Sequence, residues 1–343
     1  MKKTVLATLM LLAALAGKAQ GETDAPLAIA RQARFSRFLI PDFGDKGLAC
    51  LSAKKSGDIK PTGAVKEDMP FKEFGNSLPA QAFHGEAYRN DIIDNDTVFN
   101  FPQTNVITFA PGSHSNWHRH GGMDILVTGG TGIYQEEGKP AQLLRKGDVL
   151  HIPAGTRHWH GAAPGNWFQQ IVVYDSHWRP QASYSDGDNT VSDSYYSNLS
   201  MVEFPHQNSL TDISMFLPGD SLMQLPTFTG FVRLSSVLGK DNASGAPAIA
   251  NAVFEPGVYN AWHKHPGGQI LIVTDGVCYH QVKGKKVEVL HPGDVGKCPP
   301  GETHWHGAAP GSRMAHLAIG TNPGSPKVQW FKPISKKEYD KIQ

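Results

Sequence analysis

The sequence predicts an all-β chain made by duplicating one domain, with minor helical margins. Three observations carry this reading. The 343 residues include 36 Gly and 24 Pro, a level that suits many tight turns. Short runs rich in β-branched and aromatic residues recur between Gly, Pro and Asn with no sustained helical period, as in a sandwich or barrel. Finally, the block His158-Trp159-His160-Gly161-Ala162-Ala163-Pro164-Gly165 reappears intact as His304-Trp305-His306-Gly307-Ala308-Ala309-Pro310-Gly311.

In chain order, Lys2 and Lys3 precede an apolar run from Val5 to Ala16 and the small residues around Gly17 to Ala19. That run is too short to span a bilayer, so residues 1–20 read as a signal peptide of a periplasmic or secreted protein. An N-terminal extension, 21–80, contains a helical pattern at Pro26 to Phe38. The first domain, 81–175, has expected strands at Asn105 to Ala110, Asp124 to Thr128, Asp148 to Ile152 and Gln169 to Tyr174, with Gly129 to Gly132 taken as a turn. A Ser-, Asp-, Tyr- and Asn-rich connection, 176–225, is placed to return over it. The second domain, 226–343, repeats the strands at Ala248 to Phe254, Gln269 to Thr274 and Met314 to Ile319, and its tail from Ser335 to Ile342 is expected to be helical. The repeat offset grows by one residue between His120/His265 and Pro153/Pro299, and the insertion is expected at the hairpin tip Lys283 to Lys286.

Lys and Arg number 32 against 31 Asp and Glu, a net charge of +1, which argues against a nucleic-acid partner. No further stretch reaches membrane-spanning length, and there is no phosphate-binding Gly loop or Cys-based zinc motif. Three cysteines, Cys50, Cys278 and Cys298, allow at most one internal disulfide, and small buried strand residues are favoured over functional thiols.

The 16 histidines need a chemical explanation. In a strand, residues i and i+2 share a face, so His118 and His120 converge while Arg119 points away, and His263 and His265 do the same around Lys264. His158 and His304, each after a Pro-x-Gly turn, offer a third imidazole, and Asp124 or Gln269 a fourth donor. Such a set leaves positions open on a metal that takes five or six ligands, as a catalytic site requires. His160 and His306 fall two residues after the third ligand, face the same cavity and, with His316, are the candidate catalytic residues. Trp117, Trp159, Trp262 and Trp305 are expected to pack the barrels. His84, His114, His151 and His291 show no partner pattern and are expected at the surface or rim.

Each copy resembles the cupin superfamily. Its first motif is present as Gly112, His118, His120, Asp124 and as Gly257, His263, His265, Gln269. The second is present as Gly147, Pro153, Gly155, His158 and as Gly293, Pro299, Gly301, His304. The resemblance implies two tandem double-stranded β-helix (jelly-roll) barrels, with one divalent metal in each. Asn260 to Val273, Pro300 to Pro310, Met314 to Ile319 and the tail residues Trp330 and Tyr339 are similar to small bacterial cupins that include manganese-dependent hydroxynitrile lyases. By that resemblance His263, His265, Gln269 and His304 bind the metal, with manganese favoured, while His306 and His316 serve in acid/base catalysis. Iron, nickel, cobalt or zinc would suit the same donors.

The expected function is metal-assisted, lyase-type acid/base chemistry on a small oxygenated molecule by a monomer or homodimer. A cupin dioxygenase and a non-catalytic sugar- or metabolite-binding cupin are the alternatives. The copies are unequal. Gln269 is neutral where Asp124 is charged and one methylene shorter, and the position of His316 is Gln170, which cannot exchange protons at neutral pH. The second barrel is therefore expected to be the more active.

Overall fold

The computed structural model describes residues 54–55, 59, 66–175, 177, 179, 188–205 and 212–342. The proposed signal peptide, the helix at Pro26 to Phe38 and Cys50 lie outside them. Two β-barrels follow each other. The first is closed by twelve strands in one continuous network, and the second by sheets of six and five strands. Every strand expected from the sequence forms, including Thr104–Phe109, Val149–Ile152, Phe168–Tyr174, Ile249–Phe254 and Met314–Gly320. The tail helix Lys336–Tyr339 starts with a capping box between Ser335 and Glu338. The connection returns to the first barrel, where Ser200–Glu203 runs parallel to Ala141–Arg145.

The long strand Met123–Glu136 organises the first barrel. Its first half pairs with Phe168–Tyr174 and its second half with His158–Ala162, so one strand serves both walls. It crosses over at Gly129 to Gly132, which is strand and not the expected turn; a register shift between Gln169 and Gln170 marks the bend. Gly130 has φ 73°, and a Cβ there would stand 1.8 Å from the Trp167 carbonyl oxygen, so only glycine fits. In the second barrel the same bend separates Gln269–Gly276 from Cys278–Val282.

Strand register corrects the position of the inserted residue. Val127 pairs with Gln170 and Val273 with His316, so both strands already stand at the larger offset before the hairpin begins. The hairpins are equal in length. The extra residue lies in the loop after the His pair, where Pro266-Gly267-Gly268 replaces Gly121-Gly122. Met123, opposite Ile152, is therefore the counterpart of Gln269, opposite Cys298, and Asp124 is the counterpart of Ile270.

A one-residue step in a strand reverses the face. Met123, Ile125 and Val127 face the first lumen, packed with Phe109 and Phe168. Leu126, Ile171 and Val173 face outward, against Ile270, Ile272, Leu317 and Ile319 of the second barrel in one shared core. Equivalent residues of the two repeats thus meet in a pseudo-symmetric interface. Each large aliphatic side chain buried there contributes about 1.5–3 kcal/mol.

Candidate metal and acid/base site

In the first barrel the three predicted imidazoles converge. His118 and His158 form a two-residue bridge through reciprocal backbone hydrogen bonds of 2.9 and 3.0 Å, which fixes the loop bearing His118 against the strand bearing His158. Their ring centroids are 4.4 Å apart, and His120 lies 4.7 Å from His158. Arg119 turns away and donates to the Gly155 carbonyl. Each ring is locked in the same tautomer. Nδ1–H donates to a backbone carbonyl, of Asn116 for His118, Gly121 for His120 and Thr156 for His158. That leaves the Nε2 lone pairs free, and those of His120 and His158 are buried with no hydrogen-bond partner. Donors of His118, His120 and His158 lie within 4.8 Å of one another, a spacing that fits a shared metal ion. Burial, and the neighbouring His120, push the His118 pKa down to about 4, so the ring is a neutral ligand at neutral pH.

Asp124 is not part of this set, which corrects the sequence expectation. Its fully buried carboxylate faces the barrel interface. There it accepts from His151 Nδ1 at 2.5 Å, from the Ser244 amide at 2.9 Å and hydroxyl at 2.5 Å, and from the Ala243 amide at 3.2 Å. It ties the first barrel to the second. The residue facing the lumen in its place is Met123.

The second barrel is built differently. His263 and His304 face each other across adjacent strands with ring centroids 4.1 Å apart. His263 Nδ1–H donates to the Ala261 carbonyl at 2.9 Å, and its Nε2 is buried and unpaired. Gln269 Oε1 accepts from His304 Nε2 at 2.8 Å, so two predicted ligands are already neighbours, as adjacent donors on one ion are. His265 stands further back, 5.1 Å from His263 and 5.6 Å from His304 between ring centroids, with Nε2 buried and unpaired. Two tight trios form here, one of His263, His304 and His306 and one of His280, Cys298 and His304.

His306 and His316 meet edge to face at 4.8 Å, both buried. Asn260, which sequence reading did not single out, sets the His306 tautomer. Its Oδ1 accepts from the His306 backbone N–H at 2.9 Å, which orients the amide so that Nδ2 donates to His306 Nε2 at 2.9 Å. The proton of neutral His306 must then sit on Nδ1, which is buried and unpaired. Both nitrogens of His316 are likewise unpaired. Burial depresses both pKa values, His316 to about 4, so the pair is neutral at physiological pH. They share a cavity with Phe228, Leu234, Phe254 and Trp330.

In the first barrel Gln170 donates to His160 Nδ1 at 3.1 Å, and Ser115, at the position of Asn260, reaches only the backbone of His160. Of the remaining histidines, His84, His151 and His291 are exposed as expected. His114 is not at the rim: it is fully buried and stacked on Tyr196 at 4.7 Å. Trp159 and Trp305 are fully buried.

A cupin domain model matches residues 105–167 and 251–319. An (R)-mandelonitrile lyase from Granulicella tundricola is 45% identical over 112 residues, which cover 33% of this chain and 85% of that protein. Among solved structures, a cupin-like protein from Thermotoga maritima is 38% identical, covering 37% of this chain and 96% of its own, with a TM-score of 0.35. An oxalate decarboxylase from Bacillus subtilis is 13% identical, covering 80% and 86%, with a TM-score of 0.43. The chain belongs to the cupin family and carries its domain twice.

Proposed function

We propose that this protein is an exported lyase of the hydroxynitrile type, acting on a small aryl or alkyl α-hydroxynitrile in the second barrel. The observation that carries this reading is the buried, neutral pair His306 and His316 with unspent nitrogens beside His263 and His304. The likeness to an (R)-mandelonitrile lyase supports it.

A divalent metal, with manganese favoured, would be held by His263, His265, Gln269 and His304, and would polarise the substrate hydroxyl. A matching ion would be held in the first barrel by His118, His120 and His158. The aromatic walls Phe228, Phe254 and Trp330 would receive an aryl group and exclude water. His316, neutral with both nitrogens free of protein partners, accepts the hydroxyl proton as the carbon–carbon bond to the nitrile breaks. His306, whose proton is confined to Nδ1 by Asn260, donates a hydrogen bond to the departing cyanide. Proton return from His316 completes hydrogen cyanide and leaves the aldehyde.

The test is cleavage of racemic mandelonitrile by the manganese-loaded protein, followed as benzaldehyde release. Turnover lost on chelation and restored by manganese supports the proposal. Metal-replete protein with no turnover on any hydroxynitrile would favour a non-catalytic binding cupin.

A further inference from the structure

Behind the proposed catalytic ligands, the floor of the second barrel carries donors that its sister lacks. His280 lies in Cys278–Val282 and Cys298 ends Val295–Cys298. Strand register makes Tyr134 and Ile152 their counterparts in the first barrel. There Tyr134 and Ile152 are buried in an apolar cluster, with the Tyr134 hydroxyl donating to Glu136. In the second barrel both positions become metal-binding types, side by side. His280 is fully buried, and its Nδ1–H donates to the Glu288 carboxylate at 2.7 Å. That is how carboxylates orient ligand histidines, and it leaves a buried Nε2 lone pair with no partner. Cys298 Sγ stands 2.8 Å from His304 Nδ1. Because Gln269 accepts from His304 Nε2–H, Nδ1 is the nitrogen bearing the lone pair. Donors of His280, Cys298 and His304 all lie within 4.8 Å of one another.

We propose that Cys298, His280 and His304 form a second metal site in this barrel, for a thiophilic d10 cation such as zinc or copper(I). Thiolate with imidazole selects these ions over manganese, which the oxygen- and nitrogen-rich set around Gln269 suits better. Binding forms bonds from the ion to Sγ, His280 Nε2 and His304 Nδ1. The thiol proton leaves to solvent, and nothing is oxidised or reduced. When the manganese-type set is filled as well, the Nε2 proton of His304 also leaves to solvent and the ring joins the two donor sets as an imidazolate.

The test titrates the metal-stripped full chain with cobalt(II) under reducing conditions. The expected result is a near-ultraviolet cobalt–thiolate charge-transfer band in the wild type, kept in His118→Ala and Cys278→Ala. It should be lost in the double variant His280→Tyr/Cys298→Ile, which installs the first barrel's residues, together with one bound equivalent. The visible d–d absorption of histidine-held cobalt should persist there, so failure of this site is distinguishable from failure of the catalytic reading. If circular dichroism shows the double variant unfolded, Cys298→Ser gives the same reading. A wild type without the thiolate band, or a band that survives loss of Cys298, overturns the proposal.

Discussion

The two barrels use one backbone plan for different interiors. In the first, three imidazoles are held in one tautomer by carbonyls, over a floor of Met123, Tyr134 and Ile152. In the second the same floor is Gln269, His280 and Cys298, and the wall adds His316 where the first has Gln170. The first barrel sets three imidazoles, spaced as donors that could share a metal, over an apolar base. The second concentrates six buried imidazoles, of His263, His265, His280, His304, His306 and His316, in one lumen. The copies thus differ around a shared plan: one has Gln170 beside His160, and the other has His316 beside His306.

The comparison can be broken most severely at the acid/base pair. His316→Gln gives the second barrel the first barrel's residue and should lower kcat by about 10²–10⁴ while leaving metal content unchanged. An unchanged kcat would remove His316 from the chemistry. Asn260→Ser, again the sister residue, keeps a hydroxyl for the backbone bond but releases the His306 ring. A roughly tenfold fall in kcat with little change in KM is expected, at the low end for a positioned proton donor. No loss would show that the tautomer is fixed elsewhere.

Asp124 sharpens the comparison through stability. Asp124→Ala strands the amides of Ala243 and Ser244 and should cost about 2–3 kcal/mol in denaturant unfolding, without loss of metal from the first barrel. Loss of metal at unchanged stability would restore Asp124 as a ligand. A smaller effect is expected from pH. Burial holds the folded pKa of His118, His263 and His316 at about 4 against 6.5 for an unperturbed ring. Between those values the unfolded chain binds more protons, so stability falls as pH falls. The Tm of the metal-stripped protein should drop from pH 7 to pH 5, and His316→Gln should flatten that slope. A Tm that rises on acidification would contradict the burial of these rings as neutral groups.

The duplication, the strands and the histidine clusters were legible because each rests on a dense signal: an eight-residue identity, period-two alternation and paired Pro-x-Gly-x-x-His turns. The errors cluster where glycine removes that signal. In Gly121-Gly122 against Pro266-Gly267-Gly268 nothing in the residue types locates the gap, and a one-residue misplacement exchanged Asp124 for Met123 and outside for inside. Gly129 to Gly132 resembles a turn in composition, yet its glycines permit a strand to bend past Trp167 and Phe168. His280 and Asn260 belong to no local motif. Their roles come from contacts across the barrel, with Glu288 and with the ring of His306. His114 is buried because the returning connection lays Tyr196 over it, a long-range event with no local mark.

The central claim is that chemistry belongs to the second barrel. Turnover of mandelonitrile by His263→Ala and His118→Ala, measured side by side on manganese-loaded protein, tests it most directly. His263→Ala should fall to the background rate and His118→Ala should keep most of the wild-type activity. The reverse, an inactive His118→Ala beside an active His263→Ala, would contradict the assignment.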